Sequence, residues 1–247
     1  MSIGGHEPTL TCTEGHLSKA EAERFELFML HSASGLLCGL SGVGAEIVKN
    51  LMLCGLRSLT LMDKELVSKD DIDSNFLLES GSIGQNRAKA SYEKVQALNP
   101  MVRVELAEFD LKSMDLDFVS RFTLVVLCDQ LYDDIVLWNE RCRKLNVGFI
   151  ACGVFGWMGY SFYDFNNHLF LSAVEKKQEA MGEEGAIGIS YPNVLEAVDI
   201  DSEDNFEKKV LQYPCFNDAF NVDWSKKQLI RKSRRLIPSS YFPLKGM

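Results

Sequence analysis

Leu36-Leu37-Cys38-Gly39-Leu40-Ser41-Gly42-Val43-Gly44-Ala45-Glu46-Ile47-Val48-Lys49-Asn50-Leu51 is the stretch whose reading decides the fold. The apolar run Leu36 to Cys38 has the length of a buried strand, and the residues from Val43 onward repeat with helical period. Val43, Ile47, Val48, Leu51 and Leu53 suit a helix face laid on a sheet, which Gly55 would end. Between strand and helix lie Gly39, Gly42 and Gly44. Glycines in such a turn let backbone N–H groups and the helix N-terminus face an anion, because a Cβ would block close approach. The spacing is G-x-x-G-x-G, with Ser41 where the dinucleotide fingerprint G-x-G-x-x-G has its second glycine. A second use of the glycines, tight packing of helix on strand, is compatible with the same turn.

Working outward, Ser58 to Met62 reads as a second strand ending at Asp63, where a carboxylate can accept hydrogen bonds from ribose hydroxyls. An acidic irregular stretch follows, then a helix from about Gly84 that Asn99-Pro100 ends. Val102 to Leu106, Thr123 to Cys128 and Val147 to Cys152 read as strands, separated by helices at Leu116 to Arg121 and Asp134 to Leu145. Strands alternating with helices predict an α/β fold, Rossmann-like and doubly wound, with a mostly parallel sheet covered on both faces. After Gly153 the texture becomes aromatic. Gly156 to Phe165 and His168 to Leu171 are expected to form an antiparallel hairpin extending the sheet. The division expected is a weakly patterned segment 1–34, the Rossmann-like domain 35–172, a polar linker 173–208, and a return strand and helix over 209–247.

The chain has 247 residues with 35 acidic and 26 basic side chains, a formal charge of -9. That balance repels nucleic acid and anionic membrane surfaces at long range, so neither is an expected partner. Seven cysteines (Cys12, Cys38, Cys54, Cys128, Cys142, Cys152, Cys215) are widely spaced without a C-x-x-C pair, and read as thiols in a reducing compartment rather than a zinc site. The leading residues have neither a basic nor an apolar signal region, and no apolar run approaches bilayer length, which leaves cytosol or nucleus. His6, His16, His31 and His168 are scattered without ligand spacing, so no metal site is expected. Between Asp70 and Asn86 there is no Lys or Arg, while Asp70, Asp71, Asp73 and Glu79 are all acidic. A group that cleaves a triphosphate must neutralise its charge, and this rim has the wrong sign.

The glycine stretch, together with Leu59-Thr60-Leu61-Met62-Asp63, Gly81-Ser82-Ile83-Gly84-Gln85-Asn86-Arg87-Ala88 and Leu98-Asn99-Pro100, resembles the adenylation domain of E1 enzymes that activate ubiquitin-like proteins, in the ThiF/MoeB-like superfamily. Val154-Phe155-Gly156-Trp157-Met158-Gly159-Tyr160-Ser161-Phe162 and Asn221-Val222-Asp223-Trp224-Ser225 are similar to the smaller, Aos1-type subunit of heterodimeric SUMO-activating enzymes. The resemblance implies an accessory subunit with a degenerate nucleotide site. It implies a larger, Uba2-type catalytic partner that uses ATP and magnesium, indirect contact with SUMO, and a nuclear as well as cytoplasmic location. Gly39, Ser41, Gly42 and Gly44 would form the degenerate cradle. By the same resemblance, Asp63 and Asp129 stand at the ribose- and magnesium-binding positions, and Arg87 matches a phosphate-binding lysine. Asn75 is kept, but Phe76, Leu77 and Leu78 follow it where competent domains carry an arginine–glutamine pair.

An N-terminal arginine finger is also implied by the family, within the motif YDRQIR. Leu27 stands in its place here, and the chain reads as having an altered N-terminus and a truncated C-terminus. No catalytic residue is expected: Cys215 lacks the threonine that follows competent thioester cysteines. Trp157, Tyr160 and Phe162 alternate on the aromatic segment and are candidates for a partner face, with internal core as the equal alternative. The basic run Lys226, Lys227, Arg231, Lys232, Arg234 and Arg235 reads as a solvated helix face or an import patch. Two other readings remain: a non-catalytic fragment that competes with the full subunit, and an NAD-binding enzyme, which would share the loop and Asp63 but has no placed acid or base.

Overall fold

The polypeptide is described by a computed structural model over residues 27, 29–107, 114–173, 194–198 and 206–221. Its strands are β1 (Ser34–Cys38), β2 (Ser58–Met62), β3 (Arg103–Ala107), β4 (Leu124–Cys128), β5 (Gly148–Phe155), β6 (Met158–Asp164), β7 (Asn167–Ala173), β8 (Val194–Val198) and β9 (Phe206–Gln212). The helices are α1 (Gly42–Cys54), α2 (Lys69–Ser74), α3 (Arg87–Leu98), α4 (Leu116–Val119), α5 (Tyr132–Leu145) and α6 (Phe216–Phe220). Residues 29–32 are also helical and lead into β1.

One sheet has the order β3-β2-β1-β4-β5-β6, and all its pairings are parallel except β5 with β6. β1, β2 and β4 are almost wholly buried because helices cover both faces, which is why they read as unbroken apolar runs. Successive side chains serve opposite layers. Leu36, Val125 and Phe149 join Trp138 and Phe216 on one face, while Leu37, Val126 and Leu59 join Val48, Met52 and Val95 on the other. Helix α1 buries Met52, whereas Leu53, expected in its apolar face, is exposed. Gly55 ends α1 in the left-handed conformation, its N–H on the Met52 carbonyl. The helix α5 has Asp133 and Asp134 in its first turn and Arg143 and Lys144 in its last, matching its dipole.

The hairpin differs from its expectation. β6 pairs with β5, register Phe155 to Met158, around a turn at Gly156 and Trp157 in which Gly156 has φ +58°. β7 does not return to this sheet. Asn166, at φ +54°, redirects the chain, and β7 pairs with β9 in a second, three-stranded antiparallel sheet of order β7-β9-β8. Strand β8 lies inside the segment 173–208 read from sequence as a linker. Its partner β9 follows it in the chain but pairs with β7 as well, a connection that local pattern does not reveal. Residues 1–26, most of the segment 173–208 and the basic run 226–235 lie outside the described residues. Among the described residues no helix is long and apolar enough to cross a membrane.

Candidate functional site

Strand order reverses between β1 and β4, and in open α/β sheets ligands bind in the crevice beyond the strand ends at such a point. The glycine loop follows β1 and Asp129 follows β4, so the crevice brings together the candidates Gly39, Ser41, Gly42, Gly44, Asp63 and Asp129.

Each glycine is required by the protein's own backbone. A Cβ on Gly39, which has φ +96°, would lie 2.2 Å from the Cys128 carbonyl oxygen, and one on Gly44 would lie 2.0 Å from that of Gly39. One on Gly42 would lie 2.8 Å from the carbonyl oxygen of Ser74, at the end of α2. The approach at Gly42 is therefore to a carbonyl of this chain, an acceptor that repels phosphate oxygens.

Asp63 is saturated. Its Oδ2 accepts from the Leu40 N–H at 2.6 Å and from Arg87 Nε at 3.0 Å; its Oδ1 accepts from the Glu65 N–H at 2.8 Å and from Arg87 Nη2 at 3.3 Å. A carboxylate has about four lone-pair sites, so none is left for a ribose hydroxyl. Arg87 reaches in from the first turn of α3, and its Nη1 donates to Asp71 Oδ1 at 3.1 Å. Burial works to lower the guanidinium pKa, and the two carboxylates, Asp63 first, outweigh it, so Arg87 is held charged more firmly than usual. Asp71 is opposed in the same way. Burial would raise its carboxyl, but hydrogen bonds from Ser68 and then the Arg87 guanidinium hold it below the ordinary value. With one cation and two anions the cluster carries a charge of -1.

Sequence reasoning places Asp71 only in the acidic rim. A sharper signal is present in Ser68-x-x-Asp71, and in the structure these two residues form the capping box of α2. Asn75 is buried and braces the loop: its Nδ2 donates to the Leu40 carbonyl at 2.8 Å and its Oδ1 accepts the Leu77 N–H at 2.9 Å. Asn86 caps α3 by accepting from the Lys89 N–H, while its Nδ2 donates to the Asp63 carbonyl at 2.6 Å.

Asp129 is different. It is exposed, with φ +51°, and accepts one bond on each oxygen, from Ser41 Oγ at 2.5 Å and from the Val154 N–H at 3.0 Å. Ser41, the N-cap of α1, makes no side-chain cap bond; its hydroxyl goes to Asp129 instead. Among the described residues no group of three or more His, Cys, Asp or Glu is placed to hold a metal ion.

Elsewhere the candidates separate. Trp157, at the hairpin tip, is 106% exposed, as open as a free residue. Tyr160 and Phe162 pack against the core, Phe162 edge-to-face with Phe216 at 5.0 Å, and burial pushes the Tyr160 hydroxyl up to about 12. Cys215 caps α6, its Sγ accepting from the Asp218 N–H at 3.4 Å, and burial raises its thiol, the opposite of an activated nucleophile.

The ThiF family profile matches residues 21–185, across the glycine loop, the crevice and the hairpin. This chain belongs to the ThiF family. Membership of the ThiF family fits the Rossmann-like strand order. The chain is also 36% identical over 217 residues to SUMO-activating enzyme subunit 1 of Xenopus laevis, a match covering 87% of this chain and 61% of that protein. It is 36% identical over 215 residues to SUMO-activating enzyme subunit 1 of Homo sapiens, with the same 87% and 61% coverage. Against SUMO-activating enzyme subunit aos-1 of Caenorhabditis elegans the identity is 32% over 224 residues, covering 88% of this chain and 64% of the relative. The chain thus spans less than two thirds of the length of the curated relatives it matches.

Proposed function

We propose that this ThiF-family chain is the accessory, non-thioester subunit of a SUMO-activating E1 enzyme. Its partner is a larger, Uba2-type catalytic subunit, SUMO is met only through that partner, and the complex works in the nucleus and cytoplasm. ATP, with magnesium, supplies the adenylate that activates the modifier's C-terminus, and it is used on the partner rather than in this crevice. The observation that carries the reading is the saturation of Asp63: the acid that suits a ribose and the cation that suits a phosphate are bound to one another. The likeness to relatives named SUMO-activating enzyme subunit 1 supplies the reaction. The exposed Trp157 is the candidate contact with the larger subunit; Tyr160 and Phe162 belong to the fold.

Leu27 favours a second reading. It is 55% exposed on the helical residues before β1, at the position where the resemblance implies an arginine reaching the partner's nucleotide. A chain that docks but lacks that arginine would compete with a complete subunit. Co-expression with the larger subunit, followed by gel filtration and an ATP-dependent thioester assay on the modifier, separates the cases. Co-elution with thioester formation, and no ATP–pyrophosphate exchange by the isolated chain, is the expected result. Co-elution without thioester, together with a dose-dependent loss of adenylation when the chain is added to a working E1, establishes the competitor. Exchange by the chain alone defeats both.

A further inference from the structure

Cys128 and Cys152 occupy paired register positions on the adjacent parallel strands β4 and β5, and their Sγ atoms lie 3.6 Å apart. Paired residues of neighbouring strands have Cα atoms about 4.8 Å apart, inside the range of about 4.4–6.8 Å that a disulfide spans. Cys128 is fully buried and Cys152 is 5% exposed, so only a small oxidant can arrive, and it meets Cys152 first.

The two thiols also sit under the crevice. Asp129 follows Cys128, and its N–H donates to the Cys152 carbonyl at 2.9 Å. Gly153 follows Cys152, at a point where an added Cβ would lie 2.8 Å from the Tyr160 ring and 3.0 Å from Asp129 Oδ1. Nothing in the accessory-subunit reading uses either sulfur, so a bond between them stands or falls independently of that reading.

We propose that Cys128 and Cys152 form a reversible, peroxide-driven dithiol–disulfide pair that ties β4 to β5 beneath Asp129. Hydrogen peroxide transfers one oxygen to the Cys152 sulfur, giving a sulfenic acid and releasing water. The Cys128 sulfur then attacks that sulfur, the S–O bond breaks, a second water leaves, and the S–S bond forms. Two thiols are oxidised by two electrons while one peroxide is reduced to two waters. The spacing of about 4.8 Å lies at the short end of that range, below the usual value of about 5.5–6 Å, and bridges held away from the preferred geometry are the more easily reduced ones, which suits a labile modification better than a permanent staple.

The experiment uses the full chain. Peroxide is raised until the exposed Cys54 is consumed, remaining thiols are alkylated under denaturing conditions, and tryptic peptides are weighed. Cys128 is the only cysteine of peptide 122–141 and Cys152 the only one of peptide 145–176. The expected result is a joined peptide replacing both free forms, with dithiothreitol restoring them. In Cys152→Ser the joined peptide is lost and Cys128 stays alkylatable; in Cys128→Ser, Cys152 accumulates as a sulfenic acid trapped by dimedone. Three results overturn the proposal: Cys54 oxidised with both peptides still free, a bridge from Cys128 to any other cysteine, or dimedone trapping of Cys152 in the unsubstituted chain as extensive as in Cys128→Ser.

Discussion

Arg87 and Arg143 each sit among buried or half-buried acids, and the two clusters look alike until their connections are followed. Arg143 Nη1 donates to both oxygens of Asp164 at 2.7 Å and to the Tyr213 carbonyl at 3.2 Å. Asp164 also accepts from Asn139 Nδ2 at 2.7 Å and the Asn166 N–H at 3.0 Å, and Asn139 accepts the Phe216 N–H at 2.8 Å. That cluster joins α5, the turn after β6 and the start of α6, segments far apart in the chain. The Arg87 cluster joins Leu40, Asp63 and Asp71, all of which surround the glycine loop. Equivalent chemistry serves architecture in one place. In the other it occupies the groups that a nucleotide fold would turn toward a ligand. A paired arginine is therefore no sign of a site; what matters is which other partner its carboxylate forgoes.

If the Arg143 cluster is structural, removing its acid carries the largest cost. Asp164→Ala leaves Arg143 and Asn139 facing an emptied, 1% exposed position. Breaking a buried pair by removing one partner costs about 3–5 kcal/mol, and the lower end applies because the Arg143 side chain retains 29% exposure. Chemical denaturation read by tryptophan fluorescence checks this, since Trp138 lies in the adjoining core. A loss below about 1 kcal/mol, the value of a surface pair, would mean that the cluster holds nothing together.

Arg87→Met comes next and sharpens the contrast. Asp63 retains the Leu40 and Glu65 N–H donors, and Asp71 retains both Ser68 donors, so neither acid is left bare. A loss of about 2 kcal/mol is expected, in the range for removing a charged hydrogen-bond partner. A loss equal to that of Asp164→Ala would erase the difference between the two clusters.

These two clusters also mark how far the sequence could be read. Strands β1, β2 and β4 were legible because burial on both faces leaves apolar runs bounded by glycines and acids. Gly39 and Gly44 were legible as a turn before a helix, although the turn alone could not say that the close approach is to Cys128 and Gly39 carbonyls rather than to a ligand. The second sheet was not. The chain leaves the first sheet at Asn166 because of one left-handed residue and a knot to Arg143 that lies 23 positions back, neither of which has a local periodicity. At the crevice, Asp63 is legible from its place at the end of β2 and Arg87 from the resemblance, but their mutual pairing depends on how α3 is seated over the β2 end. Composition is blind to that, since a free acid and a neutralised one are spelled alike.

The smallest expected effect concerns Asp71, whose carboxyl lies below its ordinary value because Ser68 and Arg87 outweigh the burial that would raise it. The folded state thus binds this proton more weakly than the unfolded chain does. Its contribution is complete above the unfolded pKa of about 3.9 and fades as pH falls through the lower folded value. Asp71→Asn removes the charge at every pH and keeps the shape. The stability gap between the parent chain and Asp71→Asn should then be constant from neutral pH to about pH 5 and close below about pH 4. Denaturant midpoints measured along that range give the gap directly. A gap that widens in acid would reverse the sign, requiring Asp71 to be protonated on folding. It would mean that Arg87 is committed to Asp63 alone, leaving one arm of the guanidinium free over the glycine loop.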